Sequence, residues 1–228
     1  MDVILLPGFW LDASAWNEVL PAVRAAGHEP RPITLPGGVP ADPTVGLREQ
    51  IDHVVGLVDA TAGPVALVAH SGAGAVAHGV VDARPERIAK VVYVDSVPLA
   101  DGDAINDGFD PVEGMVPLPP RSHFDDATLA GLDDAAWAAF AERAIPVPAN
   151  VATQKQVLGD ARRYEVPVTV ITTSVPESTF RELLDAPHPY VAELAAIENV
   201  EIVELPTGHW PMMSEPAELA RLVAAALP

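Results

Sequence analysis

The sequence predicts a doubly wound α/β domain on a mainly parallel, six-stranded sheet. Three observations predict it. Short β-branched runs alternate with longer Ala/Leu-rich stretches along the whole chain. Most of these runs are apolar throughout instead of alternating, as expected of parallel strands covered on both faces. The intervening stretches are long enough to be helical, right-handed crossovers.

Taken in order, strands are expected over 3–6, 31–35, 65–69, 90–95, 168–172 and 200–204. Helices are expected over 14–26, 44–60, 72–83, 178–197 and 215–227. Ser14, Thr44 and Ser214 are placed to cap three of them, the last followed by Glu215-Pro216. One stretch breaks the rhythm. Over 97–166 no strand is evident, seven prolines occur, and helical patterning is confined to 126–144 and 150–163. An excursion of that length between two strands points to a lid or substrate-binding insertion. The expected organisation is therefore a single domain over 1–228 with a lid at about 97–166.

Composition narrows the function classes. The chain has 228 residues, 13 Lys plus Arg against 32 Asp plus Glu, and a formal net charge of −19. That charge opposes a nucleic-acid partner, which needs a basic footprint, and adsorption to anionic membranes. Zero cysteines exclude a disulfide framework, a thiol nucleophile and cysteine-ligated metal. Hydrophobic residues at 49% and charged residues at 20% describe a folded chain. No apolar run reaches the ~18 residues of a membrane span. The opening Met1-Asp2-Val3-Ile4-Leu5-Leu6-Pro7 lacks a basic n-region, so the expected setting is the cytoplasm. No His/Asp/Glu set has metal-ligand spacing, and no cofactor is expected.

The strongest local signal is Val65-Ala66-Leu67-Val68-Ala69-His70-Ser71-Gly72-Ala73-Gly74. An apolar strand ends, a serine stands at a sharp turn, and a small-residue helix begins, which is the form of a nucleophile elbow. Ala69 and Ala73 replace the two glycines of G-x-S-x-G but preserve its steric requirement for small side chains. The plainer reading makes Ser71 a helix cap.

A serine hydroxyl needs an imidazole within reach to act as a nucleophile at neutral pH. Pro206-Thr207-Gly208-His209-Trp210 follows the last strand and offers His209. His28, His53, His78, His123 and His188 carry no comparable signal, and His70 is expected to point away from the serine, either packing in the core or supporting the site from behind. Acyl transfer also needs N–H groups aimed at a developing oxyanion. Gly72 and, from Leu6-Pro7-Gly8-Phe9-Trp10, Phe9 are the candidate donors. An ordinary Pro-Gly turn is the plainer reading of that loop.

In its order of oxyanion loop, elbow serine, lid and late histidine, the chain resembles the α/β-hydrolase fold superfamily over nearly its whole length. The spacing looks like the compact branch of small esterases and the hydroxynitrile lyase/methylesterase group. The resemblance implies an α/β-hydrolase fold lacking the N-terminal hairpin, since the chain begins on the strand before the oxyanion loop. It also implies a triad acid. The usual position, after the strand that follows the lid, holds Thr172-Thr173-Ser174-Val175-Pro176-Glu177 and no Asp. Some members carry the acid after the strand preceding the lid, where Asp95 stands. Asp95 is preferred as the group orienting His209. Glu177 is the alternative, and for Asp95 a strand-end turn role is the plainer reading.

The resulting expectation is a serine hydrolase of a small, neutral, partly apolar ester, lactone or thioester, working as monomer or homodimer. Trp10, Trp137, Phe140 and Trp210 are expected in the substrate pocket, with Phe9, Phe109, Phe124 and Met212 as further apolar candidates. A cofactor-free lyase or a non-catalytic ligand binder would use the same residues. A third reading comes from Gly72-x-Gly74-x-x-Ala77, followed about 20 residues on by Asp95 at a strand end, which matches the dinucleotide-binding fingerprint of an NAD(P)-linked oxidoreductase. Against it, His70 and Ser71 separate the glycines from the strand, and two strands precede the motif.

Overall fold

A computed structural model describes all 228 residues. Six strands form one all-parallel sheet: β1 (Asp2–Leu6), β2 (Glu29–Pro32), β3 (Val65–His70), β4 (Ile88–Val94), β7 (Val168–Thr172) and β8 (Val200–Glu204). Their order is β2-β1-β3-β4-β7-β8. The connecting helices are α1 (Leu20–Ala25), α2 (Leu47–Asp59), α3 (Ala73–Ala83), α6 (Glu177–Asp185), α7 (Ala192–Ala196), α8 (Pro211–Ser214) and α9 (Pro216–Ala226). No helix is long and apolar enough to cross a membrane.

Successive strand side chains point to opposite faces, and both faces are buried. Val3, Leu5, Ala66 and Val68 enter a core layer shared with Val23 of α1 and Leu219 and Val223 of α9. Ile4, Leu6, Leu67 and Ala69 enter the opposite layer with Val54 of α2 and Val76 and Val80 of α3. Strand order reverses direction between β1 and β3, so a crevice opens beyond their carboxyl ends, where ligands of open α/β sheets bind. Leu6 pairs with Ala69 at that end, which sets the loop after β1 beside the turn after β3.

Several boundaries differ from the sequence expectation. The second strand begins at Glu29, ahead of the expected 31–35. It is an edge strand: the Glu29 and Ile33 N–H groups donate to Met1 O and Leu5 O, while Pro30 and Pro32 fall on the alternate positions that need no donor. The helix expected over 178–197 is broken after Asp185, because Pro187 and Pro189 force Ala186 and His188 into extended backbone. The three expected caps also move. Asp12 accepts the Ser14 N–H at 2.8 Å ahead of a short 3₁₀ turn, Gly46 precedes α2 with its N–H bonded to Glu49, and Glu215 precedes α9.

The insertion holds a short antiparallel ribbon, β5 (Met115–Val116) with β6 (Val147–Pro148), where no strand was expected. Two residues per strand give no readable periodicity. Around it lie α4 (Asp134–Arg143), started by Asp133 accepting the Ala136 N–H, and α5 (Ala149–Thr153).

Candidate active site

β3 ends at His70, and Ser71 takes φ +53°, in the left-handed region. A non-glycine residue held there is strained and persists only where its surroundings impose it. Here they do. The Ser71 N–H donates to Val94 O, and its carbonyl accepts from Gly74 N–H and from Ser96 Oγ at 2.6 Å. Gly74 is required by this packing, since a Cβ there would lie 2.1 Å from Ser96 Oγ.

The hydroxyl so exposed meets an imidazole. Ser71 Oγ lies 2.7 Å from His209 Nε2, and His209 Nδ1 lies 2.6 Å from Asp95 Oδ2. A carboxylate only accepts, so Nδ1 carries the proton and Nε2 is left to accept from the serine. His209 is about one quarter exposed, and Asp95 is almost fully buried.

Asp95, at φ +42°, follows β4 directly. Its Oδ1 accepts the N–H groups of Thr173 and Ser174 at 3.0 and 3.1 Å, and Oδ2 accepts Ser174 Oγ at 2.8 Å besides His209. Burial alone would raise its pKa, but the His209 hydrogen bond and charge, with Ser174 and Thr173, outweigh it and hold the carboxyl below the usual range. The loop after β7, which carries the alternative acid Glu177, thus supplies donors to Asp95. Glu177 is not at His209: at the start of α6 its carboxylate pairs with Arg181 at 2.6 Å.

The loop carrying His209 is clamped on both sides. Its Gly208 and His209 N–H groups donate to Ala130 O and Thr128 O of the insertion, and Thr173 Oγ1 donates to Gly208 O. A Cβ on Gly208 would stand 2.5 Å from both insertion carbonyls, so only glycine allows the approach. His70 supports the site from its buried side, bonding the histidine loop and not the Ser71 hydroxyl. It is fully buried, and its Nε2 lies 2.6 Å from His209 O.

Beyond β1, Gly8 lies directly over the elbow, where an added Cβ would come within 2.5 Å of His70 Nδ1 and 2.8 Å of Ser71 Cβ. The Phe9 ring rests against Gly72 Cα, and neither the Phe9 nor the Gly72 N–H has a backbone acceptor. Both residues line a small crevice with Trp10, Ala73 and Pro146.

The aromatic candidates divide. Trp10 packs edge to face with Phe9, Phe109 and Phe124 beside the loop after β1, and Phe109 also lies tilted against Phe9. Phe140 and Trp210 are 2% and 1% exposed, so they form core more than an open wall. Trp137 packs on Trp210 and also faces an outer groove with Pro117, Pro120 and Pro146. A second groove, of about 480 Å³, runs between Trp10, Phe140, Met212 and Arg143.

Ser96, Thr128, Thr173 and Ser174 were not anticipated. Their one signal in the sequence is the Thr172-Thr173-Ser174 run at the usual position of the acid. The glycines and acid of the dinucleotide reading have other occupations here: Gly74 receives Ser96, and both Asp95 oxygens are engaged. No group of three His, Asp or Glu residues is placed to hold a metal.

The family model described as "Alpha/beta hydrolase family" matches residues 3–222. A carbendazim hydrolyzing esterase of Nocardioides sp. (strain SG-4G) is 28% identical over 247 residues, covering 98% of each chain. Among solved structures, an extracellular alpha/beta-hydrolase from a Paenibacillus species superposes with TM-score 0.78 at 22% identity, over 99% of this chain and 98% of that one. That protein is described as sharing structural and functional homology with tobacco salicylic acid binding protein 2. A methylesterase from Arabidopsis superposes with TM-score 0.75 at 16% identity, over 99% and 98%.

Proposed function

The chain belongs to the alpha/beta hydrolase family, and from that premise we propose that it is a serine esterase acting through an acyl-enzyme. The observation that carries the reading is the unbroken chain of contacts Ser71 Oγ–His209 Nε2 and His209 Nδ1–Asp95 Oδ2, at 2.7 and 2.6 Å. In the first half, Ser71 Oγ attacks the ester carbonyl carbon while its proton passes to His209 Nε2. Asp95 stabilises the imidazolium without taking the proton. The tetrahedral oxyanion lies between the Phe9 and Gly72 N–H groups. Collapse breaks the ester C–O bond, and His209 protonates the departing alcohol. In the second half His209 takes a proton from water, the hydroxide adds to the acyl carbon, and the acid leaves as Ser71 recovers its proton.

The esterase and methylesterase relatives support an ester over other acyl compounds. Phe9, Phe109 and Trp10 around the oxyanion loop favour a small, neutral, partly apolar substrate, and the net charge of −19 disfavours anionic ones. Residues 97–166 serve as the lid, since their aromatic rings and the carbonyls of Thr128 and Ala130 reach the oxyanion loop and the histidine loop.

The test is Ser71→Ala. It should abolish p-nitrophenyl acetate turnover and labelling by a fluorophosphonate probe, with Tm nearly unchanged. Turnover persisting in the variant would reduce Ser71 to a helix cap and end the proposal.

A further inference from the structure

His70 has no part in the chemistry above, yet its side chain lies against both loops flanking Ser71. It is fully buried, and its ring centroid lies 4.9 Å from that of His209. Nε2 is 2.6 Å from the His209 carbonyl oxygen. A carbonyl only accepts, so Nε2 carries the hydrogen. Nδ1 has no hydrogen-bond partner, which leaves it the bare nitrogen of a neutral ring. Burial, then the nearness of His209, push the ring's pKa down to about 3, in keeping with that tautomer. The bare edge faces Gly8, whose absent Cβ would lie 2.5 Å from Nδ1.

We propose that His70 is a positioning residue: one neutral imidazole pins the backbone of His209 by its Nε2–H and seats the oxyanion loop on its opposite edge. The proposal rests on the serine-esterase reading. The physical ground is that the His209 main chain is held from two sides, by Thr128 O on its N–H and by His70 on its carbonyl. Removing the His70 hold loosens the main chain that carries the imidazole, leaving it anchored on its N–H side alone. It also takes from the His209 carbonyl the N–H that satisfies it. Displacement of a reacting group by about 1 Å can lower kcat some 100-fold without altering binding.

The experiment compares His70→Gln with His70→Asn. Gln places its amide N–H near the position of Nε2, whereas Asn places it near Nδ1, too short to reach the carbonyl. With p-nitrophenyl acetate, His70→Asn should lower kcat by about 100-fold at little changed KM, and His70→Gln should recover to within about tenfold of the parent. A second readout is the downfield proton resonance of His209 Nδ1–H, assigned by its loss in His209→Gln. It should broaden or move upfield in His70→Asn and stay in place in His70→Gln. Equal kcat for the two variants, or an unmoved resonance in folded His70→Asn, overturns the proposal. Should the parent neither turn over the ester nor take a fluorophosphonate at Ser71, the esterase reading fails by itself. The resonance comparison then still decides whether His70 positions His209.

Discussion

Replacing Asp95 by Asn changes one atom and should nearly silence the enzyme, for a reason fixed by the carboxylate's surroundings. Its two oxygens are not equivalent. Oδ1 accepts two main-chain N–H groups, from Thr173 and Ser174, and neither can become an acceptor. An Asn at 95 must therefore keep its carbonyl oxygen there and turn its NH₂ toward His209 Nδ1, where Oδ2 now accepts at 2.6 Å. A donor at that point forces the imidazole into the other tautomer, with Nδ1 bare and the hydrogen on Nε2 facing Ser71. The base then has no lone pair for the serine proton. Loss of the correct tautomer at unchanged geometry costs about 10⁴-fold in kcat, or about 5–6 kcal/mol of barrier. The assay is p-nitrophenyl acetate turnover, beside Tm and fluorophosphonate labelling, with Glu177→Gln as the control. The control should keep full kcat, because Glu177 pairs only with Arg181 near the surface. A folded Asp95→Asn retaining kcat within about tenfold of the parent would refute the tautomer argument.

Three further outcomes follow. Gly72→Ala should lower kcat about 100–1000-fold at unchanged KM, as for a lost oxyanion donor, because its Cβ would sit 2.7 Å from Phe9 Cε1 and push the donor loop away. Adding Phe9→Ala, which keeps the Phe9 N–H, should restore most of the rate, and failure of the double variant to recover would exclude the steric cause. Glu193→Gln removes the carboxylate that pairs with buried Arg163 and bonds His78, so Tm by calorimetry should fall by roughly 6–12 °C for a loss of about 3 kcal/mol. Burial would raise the Glu193 pKa, but His78 and Arg163 outweigh it and hold it at about 2 in the folded chain, against 4.5 unperturbed. A depressed carboxyl pKa means that this contribution is complete above pH 4.5 and fades as pH falls toward about 2. Acid unfolding of the parent should therefore be steeper than that of Glu193→Gln across that window, and parallel curves would argue against it.

That Ser71 and His209 meet could be read from the chain because the signals that place them are local. A serine between an apolar strand and a small-residue helix is forced into a tight turn by its immediate neighbours, and a histidine after the last strand necessarily lies at the same sheet edge. The continuous apolar strands likewise announced a parallel sheet buried on both faces. Elements whose limits depend on partners were read less well. β2 slid toward residue 29 because its prolines suit only an edge, and the β5–β6 ribbon is too short to show a period.

The order of strand, elbow, excursion and late histidine belongs to the one-dimensional chain, because steric period and turn chemistry act over a few residues. Which carboxylate faces His209, and that His70 turns inward to meet its carbonyl, could be decided only in three dimensions. β4 and β7 are sheet neighbours, so acids after either strand start equally well placed. The choice falls to Asp95 because the donors that stabilise a buried carboxylate, Thr173 N–H, Ser174 N–H and Ser174 Oγ, arrive from the neighbouring strand end 78 and 79 residues away, a separation across which local sequence rules carry no information.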